Sequence, residues 1–589
     1  MPNQITKAQE RAIKHYKGAC LCLAGPGSGK TFVITKRVVH MVQELHIPSE
    51  HILVITFTKA AAIEMEERFQ KLLPDEHAWF GTFHSFFYYI LKNSYTSFPN
   101  HFISTEEKFQ ILHQIFGETL GQSAEIPYED AERMLALYIN NGLSMKYMSQ
   151  CADINEEKLK EIYQRYHRAL INNGFIDFDN LMLLTYQLLK ENIDVRERWK
   201  KQFQYILVDE CQDMNVLQYE IVKLLAGKEQ NVFLVGDDDQ AVYQFRGARV
   251  ELLQRFVEEY EFVEQIHLDI NFRSTEGIVK ASQKLIAQNQ KRFAKKVHAN
   301  NGDSGGLVIK NFEFRHGMYE MVIEELQKAD KDDLSSCAII YRTNQELRRM
   351  AYKLRQSGIL YNAKEERKSI FDENWYLDVE AYIRLGLGSI NRQDVLRVAN
   401  KPNRFIKREQ LINIVKLPET LKAAVKPICN MRPYLAVKYI WNGIGYGRWL
   451  ERELYSDKEK WNMICEQLDE IVQDTKHFST LDAWLEHVEE DRFQQKSIQK
   501  RQRYEQSQGV NLITMHASKG LEFDTVYLLD VNKGKVPRGS KLSAEEIEEE
   551  RRLFYVAMTR AKKKLHIYYV SGTKDHTLQP SVFLETIMR

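Results

Sequence analysis

The stretch Ala24-Gly25-Pro26-Gly27-Ser28-Gly29-Lys30-Thr31 decides the fold. The apolar run from Cys20 to Leu23 before it reads as a short buried strand, and Val33, Val38, Val39 and Val42 recur after it at helical spacing. Strand, glycine-rich turn and helix are the context of a phosphate-binding loop. Glycines let backbone N–H groups converge on phosphate oxygens, and the N-terminus of the following helix adds positive potential. In such a loop Lys30 reaches the β- and γ-phosphates and Thr31 offers its hydroxyl to Mg²⁺. The strict pattern has glycine at position 24, where this chain has alanine.

Moving outward, HILVITFT (51–58) is a second strand, and AWFGTFHSFF (78–87) a third with Thr82, His84 and Ser85 at its end. Residues 93–185 turn helical and polar, as an insertion would. YILVDE (205–210) and NVFLVGDDDQ (231–240) are strands that end in acids, and FVEQIHLDINFRS (262–274) is a further strand. Strands alternating with helices argue for a parallel sheet covered on both faces. Ligands bind outside the carboxyl ends of such strands, so Asp209 and Glu210 fall on the edge that carries the phosphate loop. Asp209 suits Mg²⁺, and Glu210 is placed to orient or deprotonate an attacking water. A second α/β set begins near 306–314 and 336–343, is interrupted by helical sequence over 373–504, and resumes at 510–523, 524–531 and 564–570.

A chain of 589 residues exceeds one hydrophobic core, since cores stop growing near roughly 250–300 residues. An apolar fraction of 44% with 28% charged residues is ordinary globular composition. Apolar runs stay short of the ~20 residues that span a bilayer, and the first residues lack the apolar core of a secretory signal, so a cytoplasmic location with no membrane partner is expected. The seven cysteines, Cys20, Cys22, Cys151, Cys211, Cys337, Cys429 and Cys465, form no CxxC and imply reduced thiols rather than a zinc or iron–sulfur site. Net charge is +1, so any nucleic-acid contact must be local.

The segments AGPGSGKT, ITFTKAAAIEMEERF, GTFHSFF, ILVDECQDMN, VGDDDQAVYQFRGA, LDINFRST, ITMHASKGLEFDTV and EEERRLFYVAMTRAKKKL occur in that order, and with them the chain resembles the UvrD/Rep/PcrA group of superfamily 1 DNA helicases over essentially its whole length. The resemblance implies an α/β fold of two RecA-like motor domains, each with a mainly helical insertion. The first motor domain would comprise 1–92 and 186–276 with 93–185 inserted, and the second 277–372 and 505–589 with 373–504 inserted. ATP and Mg²⁺ would bind between the motor domains, with single-stranded DNA running across both. Lys30, Asp209, Glu210, Gln240, Arg273 and Arg560 would be catalytic, Gln240 sensing the γ-phosphate and the two arginines stabilising its charge. Gln9 would read the adenine, Phe272 would stack on it, and Glu522 would contact nucleotide. For DNA the family pattern implicates Phe57, His84, Tyr243, Phe245, Arg246 and His516, since a base stacked on a ring contributes roughly 1–3 kcal/mol whatever its identity. Without the motif, core packing would be the plain account of Phe57 and Phe245. The chain departs from the family at Lys59 in FTKAAA, at Phe32 after the loop threonine, at Phe245 for the usual Trp and at Phe272 for the usual Tyr.

A 3′-to-5′ translocase and helicase is therefore expected, using ATP and acting on single-stranded and 3′-tailed duplex DNA. The rivals are an ATP-gated DNA-binding or protein-displacing factor, and the motor subunit of a complex with a nuclease or repair protein.

Overall fold

The computed structural model describes residues 5–121, 128–145, 154–302, 306–330, 333–363, 368–411, 416–455, 458–504, 508–539, 541–572 and 577–588. Cys151 lies outside them, and the other six cysteines are free thiols. The chain folds into two compact units, Met1–Phe314 with Met515–Arg589, and Arg315–Thr514.

A six-stranded sheet, all parallel, centres the first unit. Its order is Trp79–Thr82, Ile52–Thr56, Tyr205–Val208, Val232–Gly236, Ala19–Ala24 and Val263–Leu268. A strand covered on both faces needs apolar side chains on both, so central strands read as continuous apolar runs. Every residue of ACLCLA is buried. Leu21, Leu23, Leu53, Ile55 and Leu234 pack to one side with Phe83, Phe86 and Ile90, while Cys20, Cys22, Val54, Phe233 and Val235 pack to the other with Val33, Val38 and Met41 of the helix Lys30–Gln43. Between these strands the helices Thr105–Leu120, Tyr128–Asn140, Glu156–Asn173 and Phe178–Glu191 extend the first of those cores. The same unit also carries the mutually parallel strands Leu307–Phe312, Ala561–Val570 and Phe523–Leu528.

Two local expectations are corrected. His84 and Ser85 do not end a strand: the strand stops at Thr82, and they stand in the first turn of the helix Phe83–Ser94. The Thr82 side chain accepts from Ser85 N, and Ser85 Oγ accepts from Thr82 N, a reciprocal cap that starts a helix at once. Residues 262–274 are not one strand but two, Val263–Leu268 and Ile270–Thr275, the second pairing with His298–Asn301. The break falls where the Leu268 carbonyl accepts from Gly25 N at 3.2 Å, which ties the strand end to the phosphate loop instead of extending the ladder.

The second unit has three parallel strands, Tyr361–Asn362, Val510–Thr514 and Cys337–Tyr341. Its helices Asn374–Gly386, Lys458–Thr475 and Leu481–Tyr504 enclose an aromatic core around Trp375, Tyr376, Tyr382 and Trp484. A buried ion pair, Arg355 Nε to Asp491 Oδ1 at 2.7 Å, lies within it. Among the described residues no helix is long and apolar enough to cross a membrane.

Candidate active site

The phosphate loop leaves the strand at Ala24, and the departure from glycine there is harmless for a physical reason. Ala24 is still the last strand residue, fully buried, with its methyl in the core. The left-handed backbone comes later, at Gly27 (φ 66°) and Gly29 (φ 85°), where a side chain would be strained. A Cβ on Gly27 would also lie 2.5 Å from Arg273 Cβ. The turn Asn271–Ser274 thus rests on the loop: Phe272 N donates to Gly27 O at 2.9 Å, and Asn271 Oδ1 accepts from both Arg273 N and Ser274 N.

Gln9 lies on the other flank of the loop, on the helix Lys7–Lys14. Its amide donates to Ser28 O at 3.0 Å and accepts from Thr6 N at 3.1 Å, so it braces the loop from a buried position. That helix is anchored by Arg37, which donates to Ala12 O at 3.2 Å and lies 4.3 Å over the Phe233 ring. His15 follows the helix, 3.6 Å from Glu264, with Arg37 and Arg11 also facing it. Burial, then Arg37, push the His15 pKa down to about 4 from its ordinary 6.5. Between those values the unfolded chain binds a proton that the folded chain does not, so this histidine subtracts stability as pH falls from 6.5 towards 4. His15→Gln is expected to flatten the fall of Tm across that window, and an unaltered profile would remove the linkage.

The acids stand where the strand Tyr205–Val208 ends. Lys30 Nζ lies 3.3 Å from Glu210 Oε1. Burial alone would lower the lysine pKa, but Glu210, Asp237 and Asp209 raise it above its ordinary value. Burial, reinforced by Glu210, pushes the Asp209 carboxyl up. Glu210 is held low, because Lys30 and then Lys519 outweigh its own burial. Glu210 takes left-handed backbone (φ 50°), uncommon for a residue with a side chain and costly enough to recur at functional sites. Gln212, fully buried, donates to Glu210 Oε2 and accepts from Asp237 N at 2.9 Å, which joins the two strand ends.

The arginines arrive from distant sequence. Arg560 occupies the junction between the helix Ala544–Met558 and the strand Ala561–Val570, and it is 2% exposed. Its guanidinium donates to Val556 O (2.8 Å), Leu521 O (3.2 Å), Thr559 Oγ1 (3.0 Å) and Gln240 Oε1 (3.0 Å). Gln240 Nε2 in turn donates to Asp237 Oδ2 at 2.7 Å. Arg273 Nε donates to Glu522 Oε2 at 2.8 Å, and Glu522 also pairs with Lys562 at 2.9 Å. Burial, then the neighbouring Arg273, push the Arg560 pKa down to about 9. Two adjacent guanidiniums beside a phosphate loop make a positive spot that an anion relieves.

The aromatic residues divide. Phe245 is 43% exposed and so is not a core residue. It lies edge-on to His516 at 5.5 Å and 6.1 Å from Tyr243, with Arg246 5.4 Å from both the Tyr243 and Phe245 rings. Phe57 instead meets Phe83 and is partly buried against the core, while His84 meets the half-exposed Phe178 at 5.3 Å. Lys519 went unnoticed in the sequence. Its amine pairs with Asp213, donates to Gln240 O at 2.9 Å, and lies 4.8 Å over the Tyr243 ring.

The residues present fit a nucleotide with a divalent cation. Asp209 Oδ1 is buried without a hydrogen-bond partner, as an oxygen destined for a hard cation would be. Lys30 and Thr31 open the helix behind a loop whose turn only glycine accommodates.

The UvrD/REP helicase N-terminal domain pattern matches residues 5–261, and the UvrD-like helicase C-terminal domain pattern matches 266–440 and 447–572. The chain is 30% identical to the ATP-dependent DNA helicase PcrA of Bacillus subtilis (strain 168), covering 98% of this chain and 83% of that protein. It is 30% identical to the ATP-dependent DNA helicase Rep of Escherichia coli (strain K12), over 95% of this chain and 90% of that one. With DNA helicase II of Haemophilus influenzae (strain ATCC 51907 / DSM 11121 / KW20 / Rd) it shares 30% identity over 99% of this chain and 87% of the relative.

Proposed function

The chain belongs to the UvrD/Rep family of ATP-dependent DNA helicases, and from that premise we propose that it moves 3′ to 5′ along single-stranded DNA and separates a duplex ahead of it. The observation that carries this reading is the chain of contacts from Asp237 through Gln240 to Arg560, beside a phosphate loop capped by Arg273. We divide the chain into the two motor domains and two insertions expected from its motifs, 1–92 with 186–276 and 277–372 with 505–589, interrupted by 93–185 and 373–504.

ATP would supply the phosphoanhydride that is hydrolysed, and Mg²⁺ would neutralise charge on its phosphate oxygens. Ala24 through Thr31 would cradle the phosphates, Lys30 would neutralise the β- and γ-oxygens, and Thr31 and Asp209 would hold the cation. Glu210, kept ionised by Lys30 and Lys519, accepts a hydrogen bond from the attacking water and orients it. Arg273 and Arg560 stabilise charge that grows on the departing phosphoryl group, and Gln240 reports its presence to Asp237. Phe272 and Gln9 bound the base, with Glu522 beside Arg273. Tyr243, Phe245, Arg246 and His516 hold the strand by stacking, with Phe57 and His84 farther along it. Lys519 joins the two functions, because one amine meets Asp213 on the nucleotide side and the Tyr243 ring on the DNA side. The partners are single-stranded and 3′-tailed duplex DNA, with a nuclease or repair protein as a companion, and the compartment is the cytoplasm.

Strand separation on 3′-tailed and 5′-tailed duplexes, with ATP, tests this. Unwinding of the 3′-tailed substrate alone is expected. Unwinding confined to the 5′ tail would reverse the polarity, and DNA-stimulated ATPase with no unwinding of either would favour a protein-displacing factor.

A further inference from the structure

Asp237, Asp238 and Asp239 are all fully buried, and one carboxylate oxygen of each lies within 4.8 Å of the others. The centre of this group belongs to Lys295. Its amine contacts Asp238 Oδ1 at 2.5 Å, Asp239 Oδ2 at 3.1 Å and, closest of all, Asp237 Oδ1, and its side chain is 5% exposed. Arg292 grips Asp239 with both arms of its fork, Nε to Oδ1 at 2.8 Å and Nη2 to Oδ2 at 2.6 Å, and Phe293 N donates to Asp238 Oδ2 at 2.7 Å. The strap that carries these residues is fastened at its other end to the helix Ala544–Met558. Asn289 Nδ2 donates to Glu548 O (3.0 Å), Gln290 N to Glu548 Oε1 (2.7 Å), and Arg552 Nη2 to Lys291 O (2.6 Å). That helix leads directly into Arg560.

Asp237 is shared: Lys295 and, at 3.2 Å, the backbone N–H of Asp239 take Oδ1, and Gln240 takes Oδ2. A fully buried carboxylate gripped at one oxygen by both an ammonium and a backbone N–H has little freedom to rotate, so the direction of its other oxygen is set. We propose that Lys295 is a positioning residue of the ATPase, which by fixing Asp237 aims Gln240, and through Gln240 aims Arg560, at the γ-phosphate. This rests on the roles given above to Gln240 and Arg560. A displacement of about 1 Å in such a group costs on the order of a hundredfold in rate, although Lys295 itself touches no substrate.

Removing Lys295 alone would take from three buried acids the cation that contacts all of them, and such a loss can unfold a protein. The test variant is therefore Lys295→Met with Asp238→Asn, which removes one charge of each sign and keeps the amide oxygen for Phe293 N. This variant is expected to melt near the wild-type temperature and to keep its KM for ATP, while kcat for DNA-stimulated hydrolysis falls roughly 10- to 100-fold. Adding Gln240→Ala to it should lower kcat no further than Gln240→Ala does alone, because both changes break one chain. Wild-type kcat in the folded variant, or losses that multiply when Gln240→Ala is added, would overturn the proposal. If the double variant does not fold, Asp237→Asn decides. Its amide offers one oxygen, drawn to Lys295, so the same loss confined to kcat is expected, and an unchanged kcat overturns the proposal. Normal turnover in Gln240→Ala itself would instead sink the assignment of the site, a different failure.

Discussion

Replacing Arg560 by alanine is expected to lower ATP turnover by about three orders of magnitude while ATP and single-stranded DNA still bind. The guanidinium is held by four hydrogen bonds, so it is pre-aimed and needs no reorganisation when charge develops on the phosphoryl oxygens. Burial, and after it the neighbouring Arg273 on the turn that covers Gly27, push the Arg560 pKa down, so a dianion arriving between the two arginines removes a repulsion. That relief is greatest in the transition state, and the loss should fall on kcat. Phosphate release at saturating oligonucleotide, with a fluorescent ATP analogue to follow binding, separates the two quantities. Arg560→Lys keeps the charge without the fork and should fall between. A kcat within about tenfold of wild type in folded Arg560→Ala would remove this arginine from the reaction.

Lys30→Ala is expected to lower DNA-stimulated kcat/KM by about 10²–10³ and to leave DNA binding intact. The amine lies 3.3 Å from Glu210, and Asp209 and Asp237 also act on it. Its loss deprives the phosphates of their counter-charge and also lets Glu210, and with it Asp209, titrate upward, so both the binding and the water-orienting functions suffer. The residues proposed to hold the strand, Tyr243, Phe245, Arg246 and His516, pack on one another's rings, so oligonucleotide binding is expected to persist. Steady-state ATPase and anisotropy of a labelled oligonucleotide are the measurements. Wild-type turnover would reject the phosphate-loop assignment, and a parallel loss of DNA affinity would show that the two sites are not separable in this way.

Much of this was legible because local rules sufficed. The apolar runs at 20–23, 51–58 and 205–208 are strands because a parallel sheet leaves neither face wet, and the acids after them face the phosphate loop because all six strands point the same way. What escaped depends on partners far away in sequence. Nothing near Lys519 announces Asp213, and nothing near Lys295 announces Asp237, since in a single sequence a buried lysine looks like any solvated one. The cap between Thr82 and Ser85 sits beside an aromatic run that suits either a strand or a buried helix, so periodicity does not separate the two there. Ala24 departs from the pattern only if the loop begins there. The strand in fact ends on it, and the backbone needs no glycine before Gly27.

Lys519 has one nitrogen and two obligations, the Asp213 carboxylate and the Tyr243 ring, which under the proposed roles stand beside the fuel and beside the track. Anyone wishing to re-engineer the grip of this enzyme on its strand without altering how fast it burns ATP will therefore find no independent dial at that position. A substitution that slackens one must slacken the other, and the economy of a single side chain here sets a limit on how finely stride and consumption can be tuned apart.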